Sequence, residues 1–143
     1  MRLEFWIFLI IGVILALVVY YVKRGSSVAD SEKRNLKNLE VELKLEGFLA
    51  QYHRLRGSDF EGAYAIHNSS RGKWYFGSSR HVYHEVMEIV SGNAGPRGIY
   101  NDIQARDFFS VRVVELRSTN YRYREDLRRA YERTYGTGKR RYF

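Results

Sequence analysis

The sequence predicts a mixed α/β protein: an N-terminal transmembrane helix, a linker helix, then a small domain with a short antiparallel sheet flanked by helices. Three observations lead there. Phe5 to Val22 is an unbroken uncharged run, FWIFLIIGVILALVVYYV. Beyond Gly57, short apolar runs broken by glycine alternate with stretches of helical periodicity. Once that first run is set aside, the rest of the 143 residues suffices for one domain of about 80 to 100 residues and a connector.

The apolar run comes first. Its eighteen residues, at about 1.5 Å each, reach about 27 Å, close to the hydrocarbon thickness of a bilayer. A helix on the surface of a globular core would show a polar stripe, and this one has none. A cleaved signal sequence is the rival, with Ser27-Val28-Ala29 as a small-residue site. The run is longer than a usual signal core, and Lys23 and Arg24 stand between it and that site, so an anchor over residues 1–24 is expected. Arg2 precedes the span, whereas Lys23, Arg24, Lys33, Arg34 and Lys37 follow it. Cytoplasmic flanks carry the excess of Lys and Arg, which places the N-terminus outside and the C-terminal domain in the cytoplasm.

The connector occupies residues 25–57. Gly25-Ser26-Ser27 reads as a flexible joint, and a helix is expected from Ser31 to about Leu55. Val41, Leu45, Phe48, Tyr52 and Leu55 step by four and three along one helical face. Leu36, Leu39 and Leu43 lie opposite, so the helix offers two surfaces, for example to its own domain and to a partner copy, and hence a homodimer through this helix. Leu39, Val41, Leu43 and Leu45 also alternate at period two, as a strand would; the length of the stripe favours the helix.

The domain is expected over residues 58–143. Gly62-Ala63-Tyr64-Ala65-Ile66-His67 reads as a strand, Asn68-Ser69-Ser70-Arg71-Gly72 as a hairpin turn, and Lys73-Trp74-Tyr75-Phe76-Gly77 as the returning strand. A helix is expected from Ser79 to Val90, a glycine-rich loop from Gly92 to Gly98, a short helix near Asn101 to Arg106, a strand from Phe108 to Leu116 and a last helix from Arg124 to Tyr135.

Composition narrows the chemistry. The chain has no cysteine, which removes disulfides, thiolate metal sites and cysteine nucleophiles. The net charge is +8, and from Arg117 onward nine Lys or Arg face only Glu125, Asp126 and Glu132. A basic, tyrosine-rich tail suits phosphates, whether of nucleic acid or of anionic lipid.

The order of hairpin, helix, strand and helix, with Gly62-Ala63-Tyr64 on one strand and Tyr75-Phe76-Gly77-Ser78-Ser79 on the next, resembles the GIY-YIG nuclease domain, particularly its homing-endonuclease branch. The resemblance runs from Gly62 to about Tyr135, and its two tyrosines stand 11 residues apart, as in close members. Gly98-Ile99-Tyr100 spells the motif literally, but no YIG-like strand follows it, and it reads as loop entering helix.

The resemblance implies phosphodiester hydrolysis assisted by one Mg2+ or Mn2+ ion. Tyr64 would stand at or near the general base, Tyr75 beside the phosphate and Glu132 on the metal, with Gly77, Ser78, Arg128, Arg129 and Arg133 along the substrate. The arginine that the family carries on the first helix falls at Glu85, and its histidine at Ile89. That is a reversal of charge where a phosphate gains negative charge, and a single preorganised donor there is worth about 100 to 1000-fold in rate. Arg80 would sit about 140° round a helix from Glu85; His81 shares its face, and His84 lies one step away. The expectation is therefore a membrane-anchored protein that binds nucleic acid, DNA before RNA, with impaired catalysis. An active metal-dependent endonuclease is the alternative, and an anionic-lipid or protein interaction module the second.

Overall fold

The computed structural model describes the backbone of residues 2–143, and side chains throughout except at residues 2 and 23–29. It divides into a first unit ending at Asn35 and a compact unit from Leu36 to Phe143.

The first unit is helical. Helix α1 spans Arg2–Leu39, and within it Leu3–Val22 has a mean hydropathy of 2.8 with no side chain buried. Twenty residues of helix rise about 30 Å, so this segment is long and apolar enough to cross a membrane. The backbone stays helical through Gly25-Ser26-Ser27, where the sequence suggested a joint. The side chains of Lys23 and Arg24, and the Ser27-Val28-Ala29 site, lie outside the described side chains.

The expected linker helix is instead three elements. Glu40 N–H donates to Leu36 O at 3.0 Å as α1 ends. Strand β1, Val41–Lys44, follows, then helix α2, Leu45–Leu55. The period-two alternation prevails over residues 41–44 because β1 finds a partner: Val41 lies opposite Val113 and Leu43 opposite Val111. Of the leucines opposite that stripe, Leu36 is buried in the domain core and Leu39 packs against the same cluster.

Strands β2 (Gly62–Asn68) and β3 (Lys73–Ser79) form the expected hairpin, helix α3 spans Val82–Val90, helix α4 Arg97–Gln104, strand β4 Phe109–Glu115 and helix α5 Arg124–Tyr131. A π-helical turn, Glu132–Gly136, continues α5, and strand β5, Arg140–Arg141, closes the chain. The sheet order is β1-β4-β2-β3-β5. It is mixed, not purely antiparallel, because β5 runs parallel to β3. A two-residue strand made of two arginines carries no hydrophobic alternation that would announce it.

Central strand β2 separates two cores. Tyr64 and Ile66 pack toward Phe48 of α2, Val82 and Val86 of α3 and Ile99 of α4. Ala63 and Ala65 face the other way, and their small side chains let Leu127, Ala130 and Tyr131 of α5 approach the sheet. Ile99 of the Gly98-Ile99-Tyr100 segment is a buried core residue in the first turn of α4.

Helix α3 starts three residues later than expected because β3 runs on to Ser79, whose hydroxyl accepts the His81 N–H at 3.0 Å. Its first turn is capped from a distance. Asp59 accepts the Tyr83 N–H at 2.8 Å and the His84 N–H at 3.0 Å, satisfying two of the amides a helix start leaves open.

Candidate functional site

Strand β5 covers β3 only at Lys73 and Trp74, so β3 beyond Trp74 is a free edge. An open cleft of about 360 Å³ lies there, lined by Tyr64, Tyr75, Gly77, Ser78, Glu85, Glu125 and Arg128 among others. Both motif strands, α3 and α5 therefore contribute to one surface.

The glycines of the two motif segments have steric reasons. A Cβ on Gly77 would stand 2.2 Å from the Tyr64 hydroxyl, so Tyr64 reaches the edge by passing over a bare backbone. A Cβ on Gly62 would stand 2.1 Å from Val114 O on the neighbouring strand. The Tyr64 ring is fully buried, and its hydroxyl donates to Glu85 Oε2 at 2.6 Å. Tyr75 lies beside it, ring centroids 6.3 Å apart.

Burial first, and the Glu85 carboxylate next, hold the Tyr64 phenol protonated far above the ordinary tyrosine range. Burial and Glu85 also raise Tyr75, which Tyr64 and then Arg128 partly counteract. A general base must be free to accept a proton near working pH, whereas Tyr64 is protonated and bound as a donor to a carboxylate. After burial, Glu85 is the main influence on both tyrosines of the cleft.

Of the cations considered from the sequence beside Glu85, namely Arg80, His81, His84, Arg128, Arg129 and Arg133, Arg128 alone lines the cleft. Its charge is already engaged. Nε donates to Glu125 Oε2 at 3.1 Å, and Nη1 pairs with Glu132 Oε1. Arg80 and His81 are exposed ahead of α3, and His84 meets Tyr52 of α2 at 3.4 Å in a separate hollow. Arg129 is exposed and 3.6 Å from Asp126. Arg133 is exposed on the π-helical turn and does not line the cleft.

Glu132 also lies off the cleft lining, between Arg128 and Arg141 Nη1, the latter at 3.5 Å from Oε2. Both its oxygens face guanidinium groups, a poor fit to a divalent cation. Among the described residues, no three His, Asp or Glu side chains come together as a metal site. The α5 carboxylate that does line the cleft is Glu125, which accepts the Ser78 hydroxyl at 2.8 Å and is held below the usual carboxylate range by that bond and by Arg128. Its signal is in the sequence: Glu125, Arg128 and Glu132 stand at i, i+3 and i+7, one face of a helix. Two carboxylates, Glu85 and Glu125, thus share the cleft with one guanidinium.

No family model matches the chain, and neither a curated protein nor a solved structure matches it.

Proposed function

We propose that this chain is a membrane-anchored protein whose domain keeps a GIY-YIG-like frame and binds nucleic acid, DNA before RNA, at the cytoplasmic face without cutting it. The observation that carries the reading is Glu85, which accepts the Tyr64 hydroxyl hydrogen bond in the cleft built by the two motif strands. A scissile phosphate entering there would meet two carboxylates, a phenol whose hydrogen is committed to Glu85 and a guanidinium already paired with Glu125 and Glu132, which leaves little free to stabilise a developing phosphorane charge.

Binding falls instead to the outside of the domain. Arg117, Arg122, Lys139 and Arg140 are exposed and form no ion pair among the described residues. The Lys and Arg that follow the apolar span orient the domain to the cytoplasm.

The test is the salt dependence of duplex DNA binding by the full chain in zwitterionic nanodiscs. Four phosphate contacts give a slope of log K against log salt of about −3.6. A slope near zero would remove nucleic acid from the account.

One observation favours a second reading, an active metal-dependent endonuclease: Arg128 shares the cleft with Tyr64 and Tyr75. That reading requires Arg128 to leave Glu125 and Glu132 for the phosphate, and it predicts nicking that disappears in Arg128→Ala.

A further inference from the structure

Strand β1 is the other edge of the sheet, paired only with β4. Three of its four residues are exposed, and Val41 keeps 51 % of its surface open. Edge strands attract other strands, and charges on a short edge normally discourage indiscriminate pairing. Here the charges have opposite signs two residues apart: Glu42 and Lys44 project from the same face of the strand.

We propose that β1 pairs antiparallel with β1 of a second copy of this chain, about a two-fold axis at Leu43, so that one sheet runs through both copies. An interface of this symmetry sets each residue against its counterpart on the other side of the axis. Centred on Leu43, it places Glu42 opposite the second copy's Lys44, and Lys44 opposite its Glu42. Centring on Glu42 would oppose two carboxylates, and centring on Lys44 two ammonium groups. A centre halfway between Glu42 and Leu43 would set the charges against Val41 and Leu43. The charge pattern therefore selects one register.

The neighbouring strand supports that register. Glu42 already receives Arg112 Nη2 from β4 at 3.2 Å, whereas Lys44 lies opposite Ser110 and has no ion pair among the described residues. Pairing at Leu43 completes a row of alternating sign, Lys44 of one copy, then Glu42 and Arg112 of the other, and repeats it across the axis.

The experiment co-expresses two differently tagged full chains, solubilises them in mild detergent and measures co-purification. Wild-type copies pair. Glu42→Lys alone and Lys44→Glu alone each turn two cross-strand attractions into repulsions and weaken pairing about tenfold or more. Glu42→Lys on one tag with Lys44→Glu on the other restores pairing, because every opposed couple again carries opposite charge, and the Glu42→Lys/Lys44→Glu double variant pairs with itself. Lys44→Glu touches no charged partner in its own chain, so its loss of pairing is not a folding defect. Wild-type copies that do not co-purify overturn the proposal, as does pairing that the single changes leave intact or that the mixed charges fail to restore.

Discussion

Tyr64 donates its hydroxyl hydrogen to Glu85 across 2.6 Å, from the central strand β2 to helix α3, over the bare backbone of Gly77. The three residues are interdependent, and the first predictions concern that dependence.

Gly77→Ala puts a methyl group 2.2 Å from the Tyr64 hydroxyl, which its buried ring and its bond to Glu85 hold in place. It is expected to destabilise the domain by about 1–3 kcal/mol, the usual penalty of overpacking. In a Tyr64→Ala background the three atoms nearest that methyl group are gone, and the same change should cost much less. A double-mutant cycle by denaturant unfolding reads this coupling, and additive effects would contradict the contact.

Tyr64→Phe removes the donor and leaves the partly buried Glu85 carboxylate without it. The expected loss is about 1–3 kcal/mol, with Tyr64→Phe/Glu85→Leu recovering part of it because both polar groups are then gone. Thermal unfolding of the two variants provides the comparison.

Alkaline pH should unfold the domain. Tyr64, Tyr131, Tyr135 and Tyr142 are each held above the ordinary tyrosine value of 10.0, burial being the largest cause in every case and a carboxylate the next. The folded state therefore keeps these protons more tightly than the unfolded state does. Its stability is fully present below about pH 10 and falls as the pH rises above that, through ionisation of the unfolded chain. Tyrosine absorbance and circular dichroism followed together should change in one step. Ionisation of these tyrosines well before the loss of structure would contradict their burial.

Asn68 anchors the C-terminus. It is fully buried, and its amide donates to Asp107 and to the Tyr142 hydroxyl, both at 2.8 Å, while Tyr142 donates to Asp102 at 2.6 Å. Asn68→Ala strands these acceptors and should cost about 2–3 kcal/mol, releasing β5 first. Hydrogen exchange at the Tyr142 amide, bonded to Trp74 O at 2.9 Å, is the sensitive readout. The Asn68 amide and Arg71 also hold Asp107 below its usual carboxylate range. That contribution is present above the usual range and lost as pH falls through the lowered value, so the same amide should exchange faster in acid.

Much of the domain is legible in the sequence because its signals are local. The hairpin announces itself through alternation and the Asn68-to-Gly72 turn, α3 and α5 through helical periodicity, and β4 through the alternation of Phe109, Val111 and Val113. What local signals miss depends on distant partners. Strand β1 exists because β4 offers it a register, and β5 because Trp74 O accepts the Tyr142 N–H. Asp59 caps α3 from 24 residues away in sequence.

The site is divided in the same way. The meeting of Tyr64, Tyr75, Gly77 and Ser78 follows from strand pairing, and the position of Glu85 from counting along the chain. Whether Glu125 or Glu132 faces the cleft depends on the rotation of α5, which is set by Leu127, Ala130 and Tyr131 packing on Ala63 and Ala65. The i, i+3, i+7 spacing marks the face but does not say which end of it meets the cleft.

The most direct test of the central claim is incubation of the full chain in nanodiscs with supercoiled plasmid and magnesium or manganese, at a concentration that binds all the plasmid. The account predicts complete, salt-sensitive retardation with the plasmid still supercoiled. Nicked circles that vanish in Tyr64→Phe or Arg128→Ala would contradict it, and would mean that the cleft cuts despite Glu85.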